Sequence, residues 1–164
     1  MQFGRWTLDE EGWLALDVWR VHDLSTAETG VIKRARKGKD GRARFAYEIQ
    51  VLASLQAQEG VLRLLDHDPS INPAWMVTEE ATPLAEHLGA IPDLHSVVAA
   101  VKGIAEAMVA AKAIGVAHRD IKPDNLFYVR GRGVLGDFGL ATGHQSDRRR
   151  RSCCAPTKNP NARP

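Results

Sequence analysis

Cysteine is nearly absent from this chain of 164 residues, and the two present, Cys153 and Cys154, are neighbours that close no loop. A disulfide scaffold is excluded, and a reducing compartment fits best. Long hydrophobic runs are missing too: no run of aliphatic or aromatic residues exceeds five, and Met1 to Gly12 lacks the charged-then-apolar order of a secretory signal. No membrane-spanning helix is expected, and the expected location is cytoplasmic. Aromatic residues are scarce at 6%, yet 44% of residues are hydrophobic and 26% charged, which rules out disorder throughout. That length and composition fit one modest domain or a piece of a larger one.

A strong net charge is also lacking overall, at +2, but not locally. Residues 144–164 hold six basic residues, Arg148 to Arg151, Lys158 and Arg163, against the single acid Asp147, whereas residues 1–143 hold sixteen basic against nineteen acidic. The tail adds three prolines and no apolar periodicity. It reads as disordered, its arginines a solvated charge run rather than a nucleic-acid or lipid site.

Ahead of the tail, recognisable elements alternate. Trp13 to Val21 and Gly30 to Arg34 read as strands joined by a polar turn region. Phe45, Ile49, Leu52 and Leu55 mark an amphipathic helix over 43–57, with Gly60 as its stop, and Val61 to Leu65 and Ala74 to Thr78 read as strands returning to the same sheet. From Asp93, which can cap it, to Gly115, the stripe Leu94, Val97, Val98, Val101, Ile104, Ala105 and Met108 predicts a long helix. Two short strands, Leu126 to Val129 and Val134 to Leu135, surround the turn Arg130 to Gly133.

Polar clusters stand beside those last strands: His118-Arg119-Asp120-Ile121-Lys122-Pro123-Asp124-Asn125 and, seventeen residues after Asp120, Asp137-Phe138-Gly139. On these strings the chain resembles the eukaryotic-type protein kinases. The first matches the family's catalytic loop, and the second, with Leu140-Ala141, its metal-binding motif. The resemblance implies an α+β, two-lobed fold, with a small antiparallel sheet plus one helix in the N-lobe and a mainly helical C-lobe. It also implies ATP and Mg²⁺ as cofactors and a protein Ser/Thr hydroxyl as acceptor.

Phosphoryl transfer asks a protein to align a hydroxyl with the terminal phosphate and to neutralise oxygen charge. The resemblance gives Asp120 the attacking hydroxyl's proton, Lys122 the charge on the moving phosphoryl group, and Asn125 and Asp137 the metal, as hard oxygen ligands. Lys122 looks like the Ser/Thr-directed branch and argues against small-molecule phosphotransferases of related fold. Val31-Ile32-Lys33 resembles the strand end whose Lys holds the α and β phosphates, with Glu48 as its helix partner. Taken alone, such a Lys is an ordinary solvated strand end. Trp75 to Ala81 resembles the strand and hinge that meet adenine, with Thr78 at the gate and the Glu79 carbonyl and Ala81 backbone at the base edge.

The resemblance fails in two places. The glycine-rich loop expected before Lys33 is missing: only Gly12 lies there, and Glu11, Trp13 and Leu16 take the glycine positions. Nothing after Thr142 matches the activation segment or the Ala-Pro-Glu anchor, since Cys154-Ala155-Pro156 is followed by Thr157. Hence residues 1–82 are expected to form an N-lobe, 83–143 a partial C-lobe that exposes much of its long helix, and 144–164 a tail. A frameshift or premature stop shortly after Ala141 would explain both the ending and the tail's texture. Arg119 beside Asp120 suggests control by phosphorylation, with Thr142, Ser146 and Ser152 as acceptors. The resulting reading is a truncated protein Ser/Thr kinase domain, the alternative a non-catalytic nucleotide-binding or interaction fragment.

Overall fold

The computed structural model describes residues 1–36 and 38–143, so the expectations for the basic tail and for Ser146 and Ser152 lie outside the described residues. The first part contains β1 (Gln2–Phe3), β2 (Trp6–Ala15), β3 (Val18–Asp23), β4 (Thr29–Arg34), α1 (Lys39–Ser54), β5 (Leu64–Asp68) and β6 (Trp75–Thr78). Its strands form one antiparallel sheet in the order β1-β2-β3-β4-β6-β5.

Where one strand was expected over Trp13 to Val21, the chain folds into a hairpin. It turns between Ala15 and Val18, with Asp17 left-handed at φ 63°. Apolar residues run through the turn and hide it, and a short polar side chain is what makes a left-handed residue tolerable without glycine. The tip is pinned to the end of β4, because Asp17 accepts from the Arg34 N–H at 2.9 Å and pairs with its guanidinium at 3.4 Å. The strand expected from Val61 starts instead at Leu64, and Val61 bridges in parallel to Leu135.

Alternation along the strands gives the sheet two apolar faces. On the outer face Phe3, Trp6, Val21, Ile32, Trp75 and Val77 form a buried cluster, with the Trp6 indole N–H donating to Asp66 at 2.9 Å. Arg5 rests over the Trp6 ring and pairs with Asp23 and Glu28, which closes this face at its edge. The inner face, represented by Met76, packs on Phe45, Ile49 and Leu52 of α1 and continues to Val61, Leu135 and Phe138. A side chain as fully removed from water as Leu52 or Phe138 contributes roughly 1.5–3 kcal/mol.

The second part contains β7 (Thr82–Pro83), α2 (Leu84–Leu88), α3 (Leu94–Ala113), β8 (Val116–Ala117), a 3₁₀ turn at Pro123–Asn125, β9 (Leu126–Val129), β10 (Arg132–Leu135) and β11 (Thr142–Gly143). These strands form a sheet ordered β10-β9-β7 and a pair β11-β8. Asp93 caps α3, its carboxylate accepting from the Ser96 N–H at 2.9 Å. Of the expected stripe α3 buries Ile104, beside Ala100, Gly103, Ala107 and Ala111, while Leu94, Val98, Val101 and Met108 are exposed, in keeping with the exposure expected of this helix.

Backbone contact explains that choice of face. A Cβ on Gly103 would come within 2.3 Å of the Gly133 carbonyl oxygen, one on Gly133 within 2.3 Å of the Ala100 oxygen, and one on Gly60 within 2.2 Å of the Gly103 oxygen. Only small residues let α3 lie directly on β10 and on the loop before β5, so the branched residues are left on the far side. By length and composition alone α3 is also apolar enough to cross a membrane, a test that the core helix of a soluble protein passes as well.

Candidate active site

Lys33 ends the inward-facing row of β4, two residues on from Val31, and reaches the helix and the second part of the chain at once. Its Nζ donates to Glu48 Oε1 at 2.8 Å and Oε2 at 3.1 Å, and to Asp137 Oδ1 at 2.9 Å. Glu48 sits on α1 between the buried Phe45 and Leu52, with its side chain only 2% exposed. Burial, together with the nearby Asp137 charge, pushes its carboxyl up to about 7 against the pull of Lys33. Burial would lower the Lys33 ammonium, but the two carboxylates outweigh it and raise the group above its ordinary value. Asp137 is likewise desolvated, yet Lys33 and the Gly139 N–H hold it below the usual carboxylate range.

Backbone conformation aims Asp137. It is left-handed at φ 54°, so the chain drops Phe138 into the core and turns the carboxylate toward Lys33. Such a conformation costs a residue with a side chain on the order of 1–2 kcal/mol. The adjoining packing supports it: Phe138 is fully buried, and the His118 ring meets it edge-on at 4.6 Å between centroids. His118 Nε2 lies 2.9 Å from the Gly136 carbonyl oxygen, and since a carbonyl only accepts, the proton is on Nε2. Nδ1 then accepts from the Asp120 N–H at 3.3 Å. One imidazole therefore ties the 118–125 loop to the residue preceding Asp137. The sequence reading quoted His118 but gave it no task; its place two residues before Asp120 was the available signal.

The loop itself gathers Asp120, Lys122 and Asn125. Lys122 Nζ is 3.0 Å from Asp120 Oδ2, and Asn125 Nδ2 donates to the Asp120 carbonyl at 2.7 Å and to Oδ2 at 3.1 Å. The Lys122 hydrogen bond, helped by Asn125, lowers the Asp120 carboxyl, and the same contact raises Lys122. With its NH₂ group so used, the buried Asn125 amide presents Oδ1 as an oxygen acceptor. Asp137 also acts on Asp120 through space, which places the loop and Asp137 in one electrostatic neighbourhood.

At the other end of the cleft, Thr78 and Glu79 are buried and Ala81 is half-buried. Sequence reasoning missed the task of the Glu79 side chain. Its Oε1 accepts from the Arg63 N–H at 2.8 Å and pairs with Arg130 at 2.9 Å, tying the segment after β6 to the β9–β10 turn. Where a phosphate-covering loop was sought, the β2–β3 hairpin leaves Trp13 and Leu16 exposed. Gly12 serves packing, since a Cβ there would approach the Asp9 Cβ to 2.8 Å and the Arg20 carbonyl oxygen to 3.0 Å.

The model of the protein kinase domain matches residues 17–158, most of the chain. The chain belongs to the protein kinase domain family. The match begins at the hairpin tip, leaving β1 and β2 outside it, and runs past Thr142, where the sequence reading found no further family motif. A serine/threonine-protein kinase, Pkn1 of Myxococcus xanthus, is 33% identical over 106 residues, 60% of this chain and 15% of that protein. A Wee1-like protein kinase of Arabidopsis thaliana is 30% identical over 112 residues, 62% of this chain and 21% of that protein. The chain thus spans less than a quarter of either relative. The α+β kinase fold expected from the motifs holds: a curled antiparallel N-lobe sheet with few helices.

Proposed function

We propose that the cleft binds ATP with Mg²⁺ and transfers the γ-phosphoryl group to a Ser or Thr hydroxyl of a protein. The carrying observation is the convergence on Lys33 Nζ of Glu48 and Asp137, which lie 15 and 104 residues away in the chain. An ammonium held by two carboxylates, beside a loop presenting Asp120, Lys122 and Asn125, has little structural purpose at a solvated strand end.

In the transfer, the hydroxyl oxygen forms a bond to the γ-phosphorus while the bond to the bridging β,γ oxygen breaks and ADP departs. Asp120, held ionised by Lys122 and Asn125, takes the hydroxyl proton. Lys122, 3.0 Å from Asp120, is placed to lie against the moving phosphoryl oxygens. Lys33, fixed by Glu48, holds the non-transferred phosphates.

The donor set fits Mg²⁺: the Asp137 carboxylate and Asn125 Oδ1 are hard oxygen ligands. Among the described residues no group of three or more His, Cys, Asp or Glu side chains could hold a metal ion, so phosphate oxygens would complete the shell. With all groups ionised, Lys33 and Lys122 face three acids, Glu48, Asp120 and Asp137, and Mg²⁺ there would offset the repulsion an incoming phosphate meets.

One observation favours a second reading, a nucleotide-binding module without turnover: the β2–β3 hairpin has no glycine at its tip to lay N–H groups over phosphates. Transfer of radiolabelled phosphate to a generic basic protein, with Asp120→Asn as control, separates the two. Asp120-dependent labelling is expected. Binding of ATP·Mg without it would leave the module reading, and no thermal shift with ATP·Mg would remove both.

A further inference from the structure

Antiparallel register sets Arg20 of β3 opposite Val31 and Val31 opposite Thr78, so these three share the face that carries Lys33 and Met76. That row lies between Lys33 and the Glu79–Ala81 segment, the two ends between which a nucleotide would extend. The Arg20 side chain does not lie along the strand; its Nε meets Glu80 Oε1 at 2.7 Å. Glu80 is the residue between Glu79 and Ala81, the two whose backbone the family resemblance sets at the base edge. The root of Arg20 is fixed as well, because Gly12 of β2 packs against it so closely that a Cβ there would stand 3.1 Å from the Arg20 Cβ.

We propose that Arg20 and Glu80 form a latch across the base end of the cleft, which must open before a purine seats. This rests on the nucleotide-site reading above and adds to it a built-in brake on affinity. Both side chains are substantially exposed, at 51% and 39%, so the pair is open to solvent screening. An exposed pair of this kind shifts an opening equilibrium by up to about fivefold. The latch is therefore a tuning device that lowers affinity without abolishing it.

Adenosine is the probe, because it has no phosphate for salt to screen from Lys33. Binding is titrated on the full chain, on Arg20→Val and on Glu80→Gln, at low and at high salt. Wild type is expected to bind up to about fivefold more tightly at high salt. Both variants should bind at low salt with the affinity wild type reaches only at high salt, and show no further salt effect. Equal affinities of wild type and both variants at low salt, or weaker binding by Glu80→Gln, overturn the latch and leave the nucleotide site standing. No adenosine binding by any of the three overturns the latch, and the absence of a thermal shift with ATP·Mg as well would overturn the nucleotide site.

Discussion

Lys33 stands between two carboxylates, Glu48 and Asp137, and the consequences of losing it differ from those of losing either partner. Lys33→Met leaves Glu48 buried without its counter-charge, so the carboxyl must take up a proton or stay unpaired, and the fold loses stability at neutral pH. Glu48→Gln leaves Lys33 with Asp137 and removes the more deeply buried charge, so it should cost markedly less. Urea unfolding at neutral pH should rank Lys33→Met as the less stable; the reverse order would show that Glu48 is not carried there as an anion needing Lys33. The same residues set a pH profile. The Glu48 carboxyl is raised from an ordinary 4.5 to about 7, so across that interval the folded chain keeps a proton the unfolded chain has lost, and stability falls as pH rises. Asp23, held by Ser25 and Arg5, is lowered from 3.8 to about 2, so its contribution is full above 3.8 and is lost as pH falls toward 2. The urea midpoint should therefore peak between the two windows, and a midpoint that climbs steadily from pH 4.5 to 7 would contradict the assignment for Glu48.

At the scale of elements, α3 lies on β10 without intervening side chains. Gly103→Ala would gain about 1 kcal/mol of helix propensity, but its methyl would meet the Gly133 carbonyl oxygen at 2.3 Å. Overpacking against backbone costs typically 1–3 kcal/mol, so a net loss of stability is expected, measurable as a lowered melting temperature. A stabilised variant would mean that helix and strand separate freely. This joint also marks where the sequence stopped being legible. Helix periodicity located α3 and its Asp93 cap, but a hydrophobicity count favours Val98, Val101 and Met108 for the interior, because it cannot register that glycine and alanine allow backbones to touch. The hairpin at Asp17 escaped for a similar reason: its turn is made by a register fit and an Arg34 contact distant in sequence. The site residues were legible because their spacing is fixed by local loop chemistry, as with Asp120, Lys122 and Asn125. The Glu79–Arg130 and Arg20–Glu80 pairs join segments 51 and 60 residues apart, and no local pattern announces them.

For the molecule as a whole, the branched face of α3 is a liability. Val98, Val101 and Val109 are 57%, 56% and 69% exposed along one helix. Apolar exposure of this kind promotes association. Val101→Lys with Val109→Lys should reduce concentration-dependent sedimentation and binding of a hydrophobic dye, and leave the unfolding midpoint nearly unchanged; an unchanged sedimentation profile would show that this face is inert. The two clusters of the sheet differ in another respect, the order in which the ribosome delivers them. Every member of the outer cluster, from Phe3 to Val77, is made before residue 78, whereas the inner cluster waits for Leu135, Phe138 and Ala141. Chains fold from the N-terminus as they emerge. The outer wall of the sheet can thus assemble while the 118–125 loop is still being translated, and Lys33 then waits on a formed strand for Asp137 to arrive.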